Sequence, residues 1–323
     1  LDIFEKLQPL TSQIRRKLFN SIKYTFPVTL KEPIQYFLNT PGKYIRPLFT
    51  LLSAQTVNGN IEKVIPAAVG IELFHDFTLI HDDIMDNDDL RRGCLTIHKK
   101  WDQGTAILVG DALVGMAYDS MLECESKYIP AMSKLFSQAL IRVCEGQALD
   151  KEYENRHDVS LDEYLQMISK KTAWLLKLSC QVGGILGNGK QNQIQLLADF
   201  GHNLGIGFQI QDDLLDFMAD EKILGKHVGS DYHMNKKTYI SLKYQEVINK
   251  RTATFSNYPQ EITEFDSLEN LKKALIELNI VDETQNIIDL YFSHALKSLS
   301  KITSKNQENL INELVDFLRI RQY

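Results

Sequence analysis

The chain has 323 residues, 44% of them hydrophobic and 24% charged, with a formal net charge of −6. That length and apolar share leave ample material for a core, and the acidic balance argues against a nucleic-acid surface. Four cysteines without CxxC or CxxH spacing read as reduced thiols of a cytoplasmic protein, and no run of about 18 uninterrupted apolar residues announces a membrane span.

Helical periodicity recurs almost throughout. Leu1–Phe19 is amphipathic, and the absence of both a leader pattern and an initiator Met fits a short truncation or processing. Pro41-Gly42 breaks the chain just before Lys43-Tyr44-Ile45-Arg46-Pro47, so this basic cluster falls at a loop-to-helix junction. Val64–Asp86 reads as one long helix that closes on Asp82-Asp83-Ile84-Met85-Asp86, and Gly93 with Cys94–Ile97 breaks the periodicity behind it. Thr105–Lys127, Ala131–Glu154 and Leu161–Leu186 read as further helices; Thr105–Met121 is the most apolar stretch, interrupted by Asp111 and Asp119. Gly187-Asn188-Gly189 is a turn. Gln191–Asp220 is a second long helix, carrying Asp212-Asp213-Leu214-Leu215-Asp216 near its end. Residues 221–238 read as a polar mobile loop and Asn249–Glu269 as a polar surface excursion, after which helix returns. Strand-like alternation is nearly absent and no linker divides the chain. The expectation is an all-α fold: a single domain over 1–323, one large helical bundle with a central cavity into which both acidic helix ends open.

The two acidic clusters share one shape. Asp82 and Asp86 stand four residues apart, as do Asp212 and Asp216, so each pair shares a helix face where unneutralised charges would repel. Each cluster follows an apolar stretch and is trailed by cations, Arg91-Arg92 in one case and Lys226 in the other. A single DDxxD is usually a solvated acidic face; two copies in matching contexts ask for cations. Mg²⁺ takes oxygen ligands and binds through one or two carboxylates plus substrate phosphates, whereas the ligand spacing of an EF-hand is missing.

Together these motifs resemble those of the trans-isoprenyl diphosphate synthases, the polyprenyl synthetase family, over roughly residues 35–245. Leu79–Asn87 with Leu90-Arg91-Arg92-Gly93 is similar to the family's first aspartate-rich motif, and Gly207–Asp216 to its second. Gly42-Lys43, Arg46-Pro47, Lys171-Thr172, Gly225-Lys226, Gly229-Ser230-Asp231 and Lys236-Lys237-Thr238 fall in the family's order. The resemblance implies head-to-tail condensation of an allylic diphosphate with isopentenyl diphosphate. It implies three Mg²⁺ per active site, bridged by the allylic diphosphate and ligated by Asp82, Asp86 and Asp212 with Asp216 close by. It gives Arg91, Lys171, Lys226 and Lys236 to the same diphosphate, and Lys43, Arg46, His75 and Arg92 to that of isopentenyl diphosphate. Thr172 and Gln209 would direct oxygens toward the allylic cation, Phe208 would pack near the isopentenyl chain, and Asp83 and Asp213 would orient or support. Gln147 and Asp150 resemble a further motif that faces the cavity, with helix packing an equal alternative. A homodimer is implied as well, with Thr105–Met121 a source of interface. Tyr44 departs from the pattern by standing where another basic residue is common, and Asp76 adds an acid beside His75.

Product length has its own signal. A helix rises about 5.4 Å per turn, near the length of one extended C5 unit. Phe77, five residues before Asp82, would therefore stop growth early, with Thr78 and Phe74 on the same stretch. The family pattern of an aromatic residue there goes with C20 products, and C15 is next. A class I terpene cyclase and a non-catalytic helical subunit of a prenyltransferase are the competing readings. The second DDxxD and the basic cluster favour elongation over the cyclase, and the presence of both aspartate clusters opposes the subunit.

Overall fold

The computed structural model describes residues 3–218, 236–254, 268–302 and 310–320. Its helices are α1 (Ile3–Asn20), α2 (Val28–Asn39), α3 (Ile45–Thr56), α4 (Ile65–Asp86), the single-turn α5 (Ile97–Lys100), α6 (Gln103–Leu122), α7 (Ile129–Glu154), α8 (Leu161–Ile168), α9 (Trp174–Leu186), α10 (Gln191–Met218), α11 (Tyr239–Thr254), α12 (Leu268–Glu277), α13 (Ile280–Ser300) and α14 (Leu310–Ile320). Among the described residues the strands are β1 (Leu90–Arg91) and β2 (Cys94–Leu95), a two-rung antiparallel hairpin. The fold is all-α.

Three boundaries differ from the periodicity. Leu161–Leu186 is not one α-helix, because Ser169–Ala173 widens into a π turn between α8 and α9. The helix begun near Thr105 closes at Leu122, short of Lys127. The polar stretch from Asn249 is still helical through Thr254. Lys226 and most of the loop expected at 221–238 lie outside the described residues, as do residues 255–267 of the expected excursion.

The chain forms two compact units. The first comprises Leu1–Ala139, Leu175–Gly201 and Ser298–Leu314. At its centre is α4, buried on nearly every side from Ile65 to Phe77, which is the signature of a helix enclosed by others. α1, α3 and α6 pack against it. α6 is long and apolar enough to cross a membrane by length and composition, with mean hydropathy 1.3. Here it lies along α4, with the Ser120 hydroxyl donating to the Pro66 carbonyl at 2.8 Å.

The second unit comprises Leu140–Trp174, His202–Lys297 and Val315–Tyr323. α8 opens on a capping box, Ser160 and Glu163 each bonding the other's backbone N–H. α11 packs on α8. The later part of α10 is tied to α14 by Gln211 Nε2, which donates to the Arg319 carbonyl at 2.8 Å.

Candidate active site

In the first unit, α4 ends on Asp86, the last residue of its acidic cluster. Asn87 adopts φ 56°, its N–H reaching Ile84 O at 3.3 Å while that of Asp88 reaches Asp83 O at 3.0 Å. This left-handed cap leaves the carboxylates at the negative end of the helix dipole. No basic residue stands in the last turn of α4, nor in that of α10 beside the second cluster. Asp82 and Asp86 are half-buried. Asp83 turns inward and is 1% exposed; Arg91 Nε donates to its Oδ1 at 2.6 Å, and its Oδ2 has no hydrogen-bond partner among the described residues. Burial pushes the Asp83 carboxyl up, against the pull of Arg91. Burial is also the largest influence on Arg91 and opposes its charge, but the bond to Asp83 together with the charges of Asp83, Asp82 and Asp88 raises the guanidinium overall. Each group thus offsets part of the other's burial cost.

A separate cation cluster gathers beside this. Arg92 occupies the two-residue turn between β1 and β2 at φ 52°, followed by Gly93 at φ 76°, a left-handed pair that closes the hairpin and holds Arg92 in a conformation rare for its type. Its Nη1 donates to the Pro41 carbonyl at 3.0 Å, and a Cβ on Gly42 would stand 3.1 Å from the same nitrogen. Gly42 is therefore what lets Arg92 lie across this loop. Arg46, on the first turn of α3, stands 2.9 Å from His75 Nε2 through Nη1. A guanidinium only donates, so His75 accepts and is neutral. Burial and the arginines hold its pKa well below the usual value. Lys43 is exposed on the loop ahead of α3. Two acids of α4, Glu72 and Asp76, are buried under the cluster. Burial pushes Glu72 up to about 7, against Arg46 and Arg92, while burial and then Glu72 raise Asp76 well above the carboxylate range.

The expected floor residues also lie in this unit. Phe77 is 8% exposed and Phe74 fully buried, with ring centroids 5.9 Å apart. Phe74 rests on Phe136 at 4.7 Å, and Phe136 on Tyr118 at 4.6 Å, so Phe77 is backed by a packed aromatic row. Thr78 is half-buried and turns its hydroxyl to the His75 carbonyl.

In the second unit the π turn sets the geometry. A Cβ on Gly146 of α7 would lie 2.3 Å from Lys171 N, so the turn presses on bare backbone. Lys171 Nζ reaches Asp150 Oδ2 at 2.5 Å, and Thr172 donates to Gln209 Oε1 at 2.7 Å. π turns are common at functional sites because they re-aim side chains within a helix. Gln209 Nε2 donates to Asp213 Oδ1 at 2.9 Å, and the Tyr164 hydroxyl donates to Asp213 Oδ2. Asp212, Asp216, Phe208 and Lys236 are half-buried. Tyr164 gave no signal in sequence: it lies 49 residues from its partner Asp213. Among the described residues no group of three or more His, Cys, Asp or Glu side chains is placed to hold a metal ion.

A helical fold, paired carboxylates at helix C-termini and a separate guanidinium cluster define a protein built to handle polyphosphate anions. A family model described as polyprenyl synthetase matches residues 27–277. The geranylgeranyl diphosphate synthase of Methanosarcina mazei is 32% identical, covering 100% of this chain and 99% of its own. That of Sulfolobus acidocaldarius is 37% identical over 86% of each. The crystal structure of geranylgeranyl pyrophosphate synthetase from Pyrococcus horikoshii superposes with TM-score 0.88 at 32% identity, covering 99% of this chain and 98% of that one. The chain belongs to the polyprenyl synthetase family.

Proposed function

We propose that the protein is a Mg²⁺-dependent trans-prenyltransferase that condenses an allylic diphosphate with isopentenyl diphosphate into a short all-trans product, geranylgeranyl diphosphate (C20) in the first place and farnesyl diphosphate (C15) next. The relatives named geranylgeranyl diphosphate synthase support the reading. The observation that carries it is a second cation cluster, in which Arg46 bonds His75 and Arg92 bonds the Pro41 carbonyl, beside the Arg91 that bonds Asp83. A terpene cyclase ionises one diphosphate and needs no second, metal-free cation site.

Asp82, Asp86, Asp212 and Asp216 would hold the Mg²⁺ ions, three per active site. Half-buried carboxylates late in two helices suit an oxygen-seeking cation. Held by these carboxylates, Mg²⁺ would supply charge neutralisation for the leaving diphosphate. Arg91, Lys171, Lys226 and Lys236 would bind that diphosphate, adding fixed cations to the leaving group. Lys43, Arg46 and Arg92 hold the diphosphate of isopentenyl diphosphate without ionising it, and His75 orients Arg46 by accepting its N–H. Thr172 and Gln209 offer oxygens to the allylic cation, and Phe208 packs on the isopentenyl chain. Phe77 limits growth, with Phe74 and Thr78 beside it.

The family match crosses both units and supports one polyprenyl synthetase domain over 1–323. A homodimer is supported by exposed Ile107, Leu108 and Leu122 on α6. A cytoplasmic location is supported by four free cysteines. The test is product analysis with purified protein, Mg²⁺, isopentenyl diphosphate and each allylic primer. A dominant C20 product is expected; C30 or longer would sink the floor assignment, and diphosphate release independent of isopentenyl diphosphate would favour the cyclase.

A further inference from the structure

Four side chains of the second unit form a line: Thr172 on the π turn, Gln209 and Asp213 one turn apart on α10, and Tyr164 on α8. Thr172, Asp213 and Tyr164 are all at most 8% exposed. Asp213 Oδ2 receives the Tyr164 hydroxyl and, at 3.4 Å, the Tyr239 backbone N–H; Oδ1 receives Gln209 Nε2 at 2.9 Å. Thr172 donates to Gln209 Oε1 at 2.7 Å. A carboxylate accepts hydrogen bonds and offers none. With Oδ2 taken by a phenol and a backbone N–H, Oδ1 faces Gln209. Gln209 must then turn its NH₂ group to Asp213 and its carbonyl away. That carbonyl can only accept, so the Thr172 proton points at it. The direction of every hydrogen bond follows from the acceptor at one end.

We infer that Asp213 and Tyr164 are positioning residues that polarise Thr172 and Gln209, so that these two present oxygen lone pairs rather than polar hydrogens to the allylic cation. The inference rests on the functional reading above and adds a role to residues outside the metal, diphosphate and chain-length sets. Neither Asp213 nor Tyr164 needs to touch substrate. Reversing the line would aim the Thr172 proton outward, toward a centre that is turning positive in the transition state. Such an effect acts on the chemical step and not on the binding of either diphosphate.

Two conservative variants test this. In Asp213→Asn, the one remaining oxygen stays with the Tyr164 and Tyr239 donors and an NH₂ group faces Gln209, which must flip and reverse Thr172. Tyr164→Phe keeps the ring, stacked edge-on at 6.1 Å from Tyr239, and removes only the hydroxyl. With the full chain, Mg²⁺, farnesyl diphosphate and isopentenyl diphosphate, kcat should fall about 10²-fold in Asp213→Asn and about tenfold in Tyr164→Phe, with both KM values and the half-saturating Mg²⁺ concentration within about twofold of wild type. A second readout separates polarity from general disturbance: binding of a diphosphate bearing a protonated amine at the reacting carbon, against its neutral thio-analogue. The preference for the cationic analogue should fall by a factor similar to kcat. Unchanged kcat in Tyr164→Phe, an unchanged preference alongside a reduced kcat, or a shifted Mg²⁺ requirement would each overturn the inference. If Asp213→Asn fails to fold, Tyr164→Phe decides alone. A wild-type chain that makes no product would defeat the functional reading itself; an active wild type with unaffected variants would defeat only the relay.

Discussion

The two aspartate clusters share the DDxxD pattern and lie late in long helices, yet their middle residues are held by different partners. Asp83 is paired with a charged partner, Arg91, and leaves one oxygen without a hydrogen bond among the described residues. Asp213 receives the Tyr164 phenol, the Gln209 amide and the Tyr239 backbone N–H. The first arrangement brings a guanidinium close to the helix end. The second places the carboxylate at one end of a hydrogen-bond line. One motif can thus do electrostatic work in one copy and orienting work in the other.

The outer aspartates should show the largest effects, and should show them in both clusters. Asp82→Ala and Asp212→Ala are each expected to lower kcat by about 10³-fold or more, since metal and fixed charge at a leaving group contribute several kcal/mol; steady-state turnover at saturating Mg²⁺ is the check. Near-normal turnover in either would mean that the two clusters are not equivalent even in their outer positions.

Arg91→Gln probes the charged solution. Leaving Asp83 buried without its partner should cost about 3 kcal/mol, and Asp83→Asn in the same chain should restore part of it. Chemical denaturation of the two single variants and the double variant measures the coupling. Additive losses would mean that the pair has no mutual role.

Phe77→Ala should lengthen the product by at least one C5 unit, read by chromatography of the dephosphorylated prenols. Its ring is backed by Phe74 and Phe136 rather than by solvent, so removal opens space that only a longer chain fills. An unchanged distribution would move the floor elsewhere.

The smallest effect concerns pH and belongs to the first unit. Glu72 and Asp76 keep protons in the fold that they release in the unfolded chain. For acids raised in this way the native state binds more protons, so stability is highest below the ordinary carboxylate value and falls as pH rises, for Glu72 from about 4.5 through about 7. Tm should drop by several degrees across that window. Glu72→Gln should flatten the slope, and an unaltered slope would place the titration on other groups.

Much of this was legible before any coordinates. The helix spans of α4 and α10, the DDxxD faces and the basic loop before α3 follow from local spacing, breakers and the positions of Pro and Gly. The Leu161–Leu186 stretch shows where that legibility ends. Its apolar periodicity predicts one helix, but the π turn that aims Lys171 and Thr172 arises where Gly146 lets α7 press on the backbone. Tyr164 likewise owes its contact to a partner 49 residues along the chain.

The sequence by itself determined the family, the helical class and which carboxylates are paired, because those depend on residue types at fixed short spacings. Only the tertiary structure decided what each middle aspartate is bound to, that His75 is a neutral acceptor for Arg46, and how Thr172 is aimed. Those depend on donors and acceptors that meet after folding, and on burial, which makes each unmatched charge or hydrogen bond costly enough to fix the geometry.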